Sequence, residues 1–375
     1  MNTILFDLSF VTANNYYSGV AKYGYRILEY IVKAERQDEY VLLLNEESEQ
    51  DILETFPQFK SISMGSKWLR KVPLKSFVYM WLFRKKVNSV GAKLLFCPYG
   101  NPFNCLKVKP KKISVVHDLQ VRIDAHLRSK KEVWIYTFAE NHIMNNSTYI
   151  FTISNFSRNQ ILQYYPQIAD KLINMSNSVS MMTADTVKPM QIGNPYLLYV
   201  GRIVAPKNVL TLVKAFSLIK KDYPLFKLVL VGKETDYWRN EIIPVINEHE
   251  LSDSFVLVEG CSEKELCQWY KGASCFVFPS IREGFGFPPI EAAFFKVPVV
   301  SSKADSLEEV TLGLLNYYDP PSDEKNMASV IKKVINNPPS NLELQHISDE
   351  YGNKYSIETV GKNICDFLQN TNKYQ

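Results

Sequence analysis

Glu283 and Glu291 stand eight residues apart in the run REGFGFPPIEAAFFKVPVV, residues 282–300, among glycines, prolines and apolar side chains. Carboxylates in so apolar a setting need hydrogen-bonding or charged partners. Gly284 and Gly286 have no side chain, so backbone amides there can approach a ligand closely. Pro288 and Pro289 suit the start of a helix, where a missing N–H does no harm. This places Glu291 in the first helical turn, at the positive end of the helix dipole. Carboxylates beside backbone amides accept hydrogen bonds from hydroxyls, so the segment points to a polyhydroxylated ligand. The plainer account is a helix cap and a solvated turn.

A second run, YVGRIVAPKN at 199–208, ends an apolar segment with a glycine and then presents Arg202 and Lys207. Two cations between a strand end and a helix N-terminus suit a phosphate or diphosphate. Many βα loops carry two basic residues for solubility alone, so the run gains weight from the acidic segment that follows it. The chain has no Asp-x-Asp to hold a divalent metal, and the only near match to G-x-G-x-x-G, GFGFPP, lacks its third glycine. A nicotinamide-dependent oxidoreductase is disfavoured on that ground.

Both runs need a scaffold. Near-continuous apolar stretches at 196–200, 226–231, 254–258, 274–279 and 297–300 read as strands buried on both faces. Helical periodicity separates them, as in 208–221, where Leu210, Val213, Phe216 and Leu218 fall near one face. The first half repeats the pattern, with strands at 3–8, 40–44, 92–97, 112–117 and 149–154 and helices at 19–33 and 157–165. Repeated β-α-β units imply open parallel sheets whose ligands sit beyond the strands' carboxyl ends. A polar break at 184–195 divides the chain into a first domain at 1–188 and a second at 189–354. Residues 355–375 form a closing helical segment.

The combination GR…K with PS..EGFG.P..EA…PVV resembles the retaining nucleotide-sugar glycosyltransferases of family 4. The resemblance covers nearly the whole chain. It implies an α/β architecture of the GT-B fold, two Rossmann-like domains facing across a cleft, with the last helix crossing back to the first domain. Carried over residue by residue, it implies that Arg202 and Lys207 bind the donor diphosphate. Glu283, with Gly284, Phe285, Gly286 and Phe287, would hold the donor sugar, and Glu291 the ribose. In the first half, YYSGVAKYGYRIL resembles the family's glycine loop, with Gly19 near the donor phosphates. SVVHDLQ places His117 beside the donor sugar, and TISNFSRNQI resembles the turn before the linker. Two departures stand out: Ser18 precedes Gly19 where many members have a second glycine, and Lys296 replaces the glycine usual before Val-Pro. The resemblance further implies transfer to a glycan or lipid-linked glycan hydroxyl in surface polysaccharide synthesis. Neither a metal nor any other cofactor is expected. The alternative is a non-catalytic sugar-nucleotide-binding scaffold, from which some of these four charged residues should have been lost.

Composition sets outer bounds. Hydrophobic residues make up 46% and charged residues 22% of 375, ordinary for a folded, water-soluble chain. No apolar run is long enough to cross a bilayer, and six cysteines without C-x-x-C spacing read as reduced thiols of a cytoplasmic protein. Residues 1–180 carry 23 Lys and Arg against 15 Asp and Glu, whereas 181–375 carry 20 against 24. The excess centres on 60–112, and within it residues 67–86 mix Trp68, Leu74, Val78, Trp81 and Leu82 with basic residues. Such a stripe suits an anionic membrane surface. Equally, Leu74, Val78, Trp81 and Leu82 could pack into a core while the charges face water. No nucleic-acid motif accompanies it.

Overall fold

A computed structural model describes residues 3–12, 18–65, 75–123, 125, 129–179 and 186–373. The chain forms two compact units, one of residues 1–178 with 357–375 and the other of residues 179–356. Sequence reading divides it at 188/189 and 354/355. The earlier break has a local cause, because Val179 donates its N–H to the Tyr355 carbonyl at 2.8 Å and so belongs to the second unit.

In the first unit, seven parallel strands are seen among the described residues: β1 (Ile4–Leu8), β2 (Tyr40–Leu44), β3 (Lys60–Ser63), β4 (Leu94–Cys97), β5 (Lys111–Val115), β6 (Tyr149–Thr152) and β7 (Leu172–Asn174). Their order is β3-β2-β1-β4-β5-β6-β7. The helices are α1 (Gly19–Lys33), α2 (Glu49–Thr55), α3 (Lys75–Val90), α4 (Gln120–Ile123), α5 (Lys130–Asn146) and α6 (Asn155–Tyr164). Ser18 caps α1 in extended backbone, its Oγ accepting the Ala21 N–H at 3.3 Å. That conformation requires no glycine, which accounts for the serine before Gly19.

The second unit repeats the plan with β8 (Tyr196–Val200), β9 (Lys227–Val231), β10 (Phe255–Val258), β11 (Cys275–Phe278), β12 (Val299–Ser302) and β13 (Asn316–Tyr318), ordered β10-β9-β8-β11-β12-β13. Its helices are α7 (Val209–Lys220), α8 (Ile243–Glu248), α9 (Glu263–Gly272), α10 (Phe287–Phe294), α11 (Leu307–Val310), α12 (Glu324–Asn336) and α13 (Asn341–Tyr355). The core lies on the central strands, where Leu197, Leu198, Phe276 and Val277 are fully buried. Each such side chain contributes about 1.5–3 kcal/mol by leaving water. On α7 the buried face is Val209, Leu212, Val213, Phe216 and Ile219, so Leu210 and Leu218 lie at its margins.

The chain then returns to the first unit as α14 (Ile357–Lys373), where Phe367 packs edge-on against Tyr149 and Phe151 at 5.1 and 5.2 Å. Among the described residues, no helix is long and apolar enough to cross a membrane. All six thiols are free, and only Cys261 is not buried.

Residues 67–74 of the basic stripe lie outside the described residues, as do Tyr16, Tyr17 and residues 184–185. The stripe continues on α3 with a different inward face from the expected one. Tyr79, Met80, Phe83 and Val87 are buried, Val78 and Leu82 pack at the margin, and Trp81 is 57% exposed. One of the basic residues in 60–112, Lys112, is itself buried and adds nothing to surface charge.

The second departure also acts through backbone. Lys296 has a left-handed φ of +57°. Its N–H meets the Ala293 carbonyl at 2.9 Å, and the next N–H, of Val297, reaches Ala292 at 3.4 Å. This is the Schellman termination of α10, in which glycine is favoured. Lys296→Gly should stabilise the second unit by about 0.5–1 kcal/mol, read as a thermal midpoint higher by about 1–4 °C. A lower midpoint would contradict this account of the turn.

Candidate active site

Strand order in the second unit reverses between β8 and β11, which pair directly through Leu197–Cys275 and Leu198–Phe276. Open parallel sheets bind ligands at such a reversal, because the loops leaving the two strands diverge and open a crevice. Here those loops carry residues 201–208 and 279–286. Gly201, at φ +152°, could not be replaced freely, since a Cβ would fall 2.8 Å from the Tyr199 hydroxyl. That hydroxyl donates to the Arg202 carbonyl at 2.8 Å. Asn208, left-handed at φ +57°, ties the loops together by donating to the Pro279 and Pro321 carbonyls at 3.1 and 2.7 Å.

Lys207 and Glu283, 76 positions apart in sequence, form a direct ion pair. Their side chains are only 19% and 11% exposed, and the Lys207 ammonium also lies 5.7 Å from the centre of the Phe278 ring. Arg202 is exposed on the same loop. Tyr199 lies among these groups. Burial raises its pKa most, Glu283 adds to the rise and Arg202 opposes it. Lys207 and Glu283 are thus brought together, with Arg202 on the same loop as Lys207.

The loop after Glu283 turns sharply at Gly286, whose φ is +93° and where a Cβ would fall 2.5 Å from Leu307 Cδ2. This turn starts α10 at Phe287, with Phe285 buried. Glu291 is therefore the fifth helical residue, in the second turn and not the first as its spacing from the prolines suggests. Its orientation comes from a hydroxyl instead of the helix end, since Tyr270 donates to Oε2 at 3.0 Å. Gly284 and Phe287 are half-buried beside the turn.

Sequence reading misses Tyr270, and nothing in its spacing marks it. It also misses Asp305 and Ser306, which follow β12. Asp305 accepts the Glu283 N–H at 3.0 Å, and Ser306 Oγ donates to the Glu283 and Phe285 carbonyls at 2.9 and 3.4 Å. Their place after a strand adjoining β11 was the available signal.

In the first unit, β1 and β4 form the equivalent reversal, and His117 follows the neighbouring β5. Its Nε2 lies 2.9 Å from the Pro98 carbonyl. A carbonyl only accepts, so Nε2 carries the hydrogen and Nδ1 holds the lone pair of the neutral ring. Tyr23 meets the ring edge-on at 5.1 Å. Burial lowers the His117 pKa, while the Pro98 contact and Asp118 oppose it. The loop supplying Pro98 is held from beneath. The Lys112 ammonium donates to the carbonyls of Asn104, Cys105 and Leu106 at 3.1, 3.2 and 3.2 Å, and Asn104 donates to buried Asp7 at 3.0 Å. Burial lowers the Lys112 pKa and raises that of Asp7. Gly19 is the exposed first residue of α1.

The fold is that of the GT-B glycosyltransferases. The chain superposes on sucrose-phosphate synthase from Thermosynechococcus elongatus with a TM-score of 0.77 over 99% of each chain, at 17% identity, a likeness of fold alone. The family model for glycosyl transferases group 1 matches residues 186–355. The chain is 30% identical to the O-antigen chain mannosyltransferase RfbU of Salmonella typhimurium over 73% of its length and 74% of that protein's. It is 24% identical to O-antigen chain mannosyltransferase B of Escherichia coli, over 78% and 81% respectively. The chain belongs to the glycosyl transferases group 1 family.

The lowered His117 pKa has a consequence for stability. Between the folded value and the ordinary value near 6.5, the unfolded chain binds the extra proton, so stability rises with pH in that window. The unfolding midpoint should fall as pH drops below about 6.5, and His117→Gln should remove part of that fall. An identical pH profile in the variant would refute the assignment.

Proposed function

We propose that the protein is a retaining hexosyltransferase that moves a sugar from a nucleoside-diphosphate donor to a hydroxyl of a glycan or lipid-linked glycan, without a metal. The observation that carries this reading is the meeting of Lys207 with Glu283 at the strand-order reversal, with Arg202 on the same loop as Lys207. The mannosyltransferase relatives favour mannose as the sugar and O-antigen synthesis as the setting. GDP-mannose is accordingly the first donor to try.

In the reaction, the anomeric C–O bond breaks and its electron pair passes to the diphosphate. An acceptor oxygen bonds to the same face of the anomeric carbon, and its proton goes to the departing phosphate oxygen. Arg202 and Lys207 stabilise the charge gathering on the diphosphate. Lys207 shares its ammonium with Glu283, so it stays fixed between the phosphate and sugar ends of the donor. Glu283 and the turn at 284–287 hold sugar hydroxyls, and Glu291 takes the ribose. Neutral His117, in the first unit, has its Nδ1 lone pair available to accept from a substrate hydroxyl. A thermal-shift panel of UDP-, GDP-, ADP- and dTDP-sugars identifies the donor. Lys207→Ala and Glu283→Ala should each lower turnover by about 10²–10³. Wild-type nucleotide release by both variants would sink the reading.

A cytoplasmic enzyme acting on a lipid-linked acceptor gains from lying at the membrane's inner surface. Phe77, Trp81, Arg84 and Lys85 follow helical spacing on one exposed face of α3, with the Lys85 ammonium 5.2 Å from the Trp81 ring centre. Phe77 is 48% exposed. This set combines the apolar anchors and cations that an anionic bilayer attracts. Arg84→Gln with Lys85→Gln should weaken co-sedimentation with phosphatidylglycerol vesicles roughly 30-fold, at about 1 kcal/mol per charge. Equal binding to neutral and anionic vesicles would contradict the electrostatic part.

A further inference from the structure

Asp305 takes a left-handed backbone conformation. Its φ is +52°, in the left-handed region that disfavours L-residues, although Asp and Asn tolerate it better than most. Such strain persists where the surroundings fix the residue, and here the contacts are specific. Asp305 Oδ2 accepts the N–H of Glu283, at 3.0 Å. The adjoining Ser306, fully buried, donates from Oγ to the carbonyl of the same Glu283 at 2.9 Å and more loosely to that of Phe285 at 3.4 Å. Leu307 closes against Gly286, leaving no room for a Cβ there. Three consecutive residues thus grip Glu283, Phe285 and Gly286.

The grip fixes more than the path of the loop. With its N–H and carbonyl both engaged, the Glu283 backbone has little freedom to rotate about Cα, and its side chain leaves in one direction, toward Lys207. Burial raises the Asp305 pKa and the Glu283 charge adds to the rise, while the Glu283 N–H and the nearby charge of Arg282 oppose it. A carboxylate is a stronger acceptor for an amide than a neutral group.

We propose that Asp305 is a positioning residue, whose carboxylate, presented by a left-handed turn and seconded by Ser306, sets the rotation of the Glu283 backbone and so the place where the Glu283 carboxylate meets Lys207 and the donor sugar. The donor-sugar part rests on the reading of Glu283 given above. The geometric part does not.

Two variants separate the hydrogen bond from the strain. Asp305→Gly relaxes the left-handed backbone but removes the acceptor. Asp305→Asn keeps an acceptor and tolerates the turn. If Asp305 served only to shape the loop, the glycine variant would be at least as stable and as active as the wild type. The expected result is a glycine variant with an unchanged or higher melting temperature whose kcat falls about 10–100-fold, with a much smaller change in donor KM, and an asparagine variant that recovers most of the rate. The assay uses GDP-mannose, or whichever sugar nucleotide of the panel the wild type consumes. A substrate-free readout runs in parallel, the amide proton of Glu283 in 1H–15N spectra of the full chain. It should move upfield in Asp305→Gly and return most of the way in Asp305→Asn.

An amide resonance indifferent to Asp305→Gly overturns the proposal. So does a glycine variant as fast as the wild type when Glu283→Ala is impaired. If Glu283→Ala is itself fully active, the functional reading fails instead, and the amide resonance alone decides the positioning claim.

Discussion

A doubly wound parallel sheet must reverse its strand order somewhere, and in the second unit it does so between β8 and β11. The two strands pair in register through fully buried Leu197, Leu198, Cys275 and Phe276. That pairing is over-determined by apolar burial, so the loops that leave its carboxyl end cannot drift apart. Lys207 and Glu283 meet because the hydrophobic core puts the ends of their strands side by side. The charged contact adds to a juxtaposition that the sheet has already made.

The loops are then stitched by backbone and amide bonds of a kind that propensity does not forecast. Ile281 donates its N–H to the Pro206 carbonyl at 3.0 Å, and Asn208 reaches across to the carbonyls of Pro279 and Pro321. Each such bond is worth about 1 kcal/mol net, enough together to hold a loop that no strand or helix constrains. Asn208 and Asp305 both do this from the left-handed region, where short polar side chains can bond locally. A half-buried ammonium in this setting needs an anion. Glu283 supplies one.

The sheets were legible where burial is two-sided. Strands β1, β2, β4, β5, β6, β8, β9, β10 and β11 announce themselves as apolar runs, and eight of these nine are interior to their sheets. Those that sequence reading passes over, β3 (KSIS), β7 (LIN) and β13 (NYY), all lie at sheet edges. An edge strand is short and partly wet, so its residues mix polar with apolar and lose the pattern. The apolar run at 297–300 begins two residues ahead of β12 because Pro298 has no N–H for the ladder, and the strand continues into the buried Ser301 and Ser302. On α3 the exposed Trp81 and the buried Phe83 are equally apolar in sequence, and only the packing of their neighbours tells them apart.

The candidate site divides along the same line. Charged residues next to strand ends could be found from spacing, because their type and the topology rule act together. The groups that aim them could not. Tyr270, Asp305 and Ser306 reach their targets through the fold over 21 to 23 positions of chain, and Lys112 holds three carbonyls beneath the His117 loop from inside a strand read simply as apolar. Lys112 shows how much can depend on such a group. Burial lowers its pKa, so its charge is kept against desolvation by carbonyls and by Asp7 nearby. An apolar residue of the same length would pack the space but take this donor from the Asn104 and Leu106 carbonyls, while Cys105 would keep the Asn146 amide at 3.2 Å; a buried acceptor left unsatisfied costs about 1–3 kcal/mol. The loop that sets the His117 tautomer therefore depends on a cation that never reaches the surface.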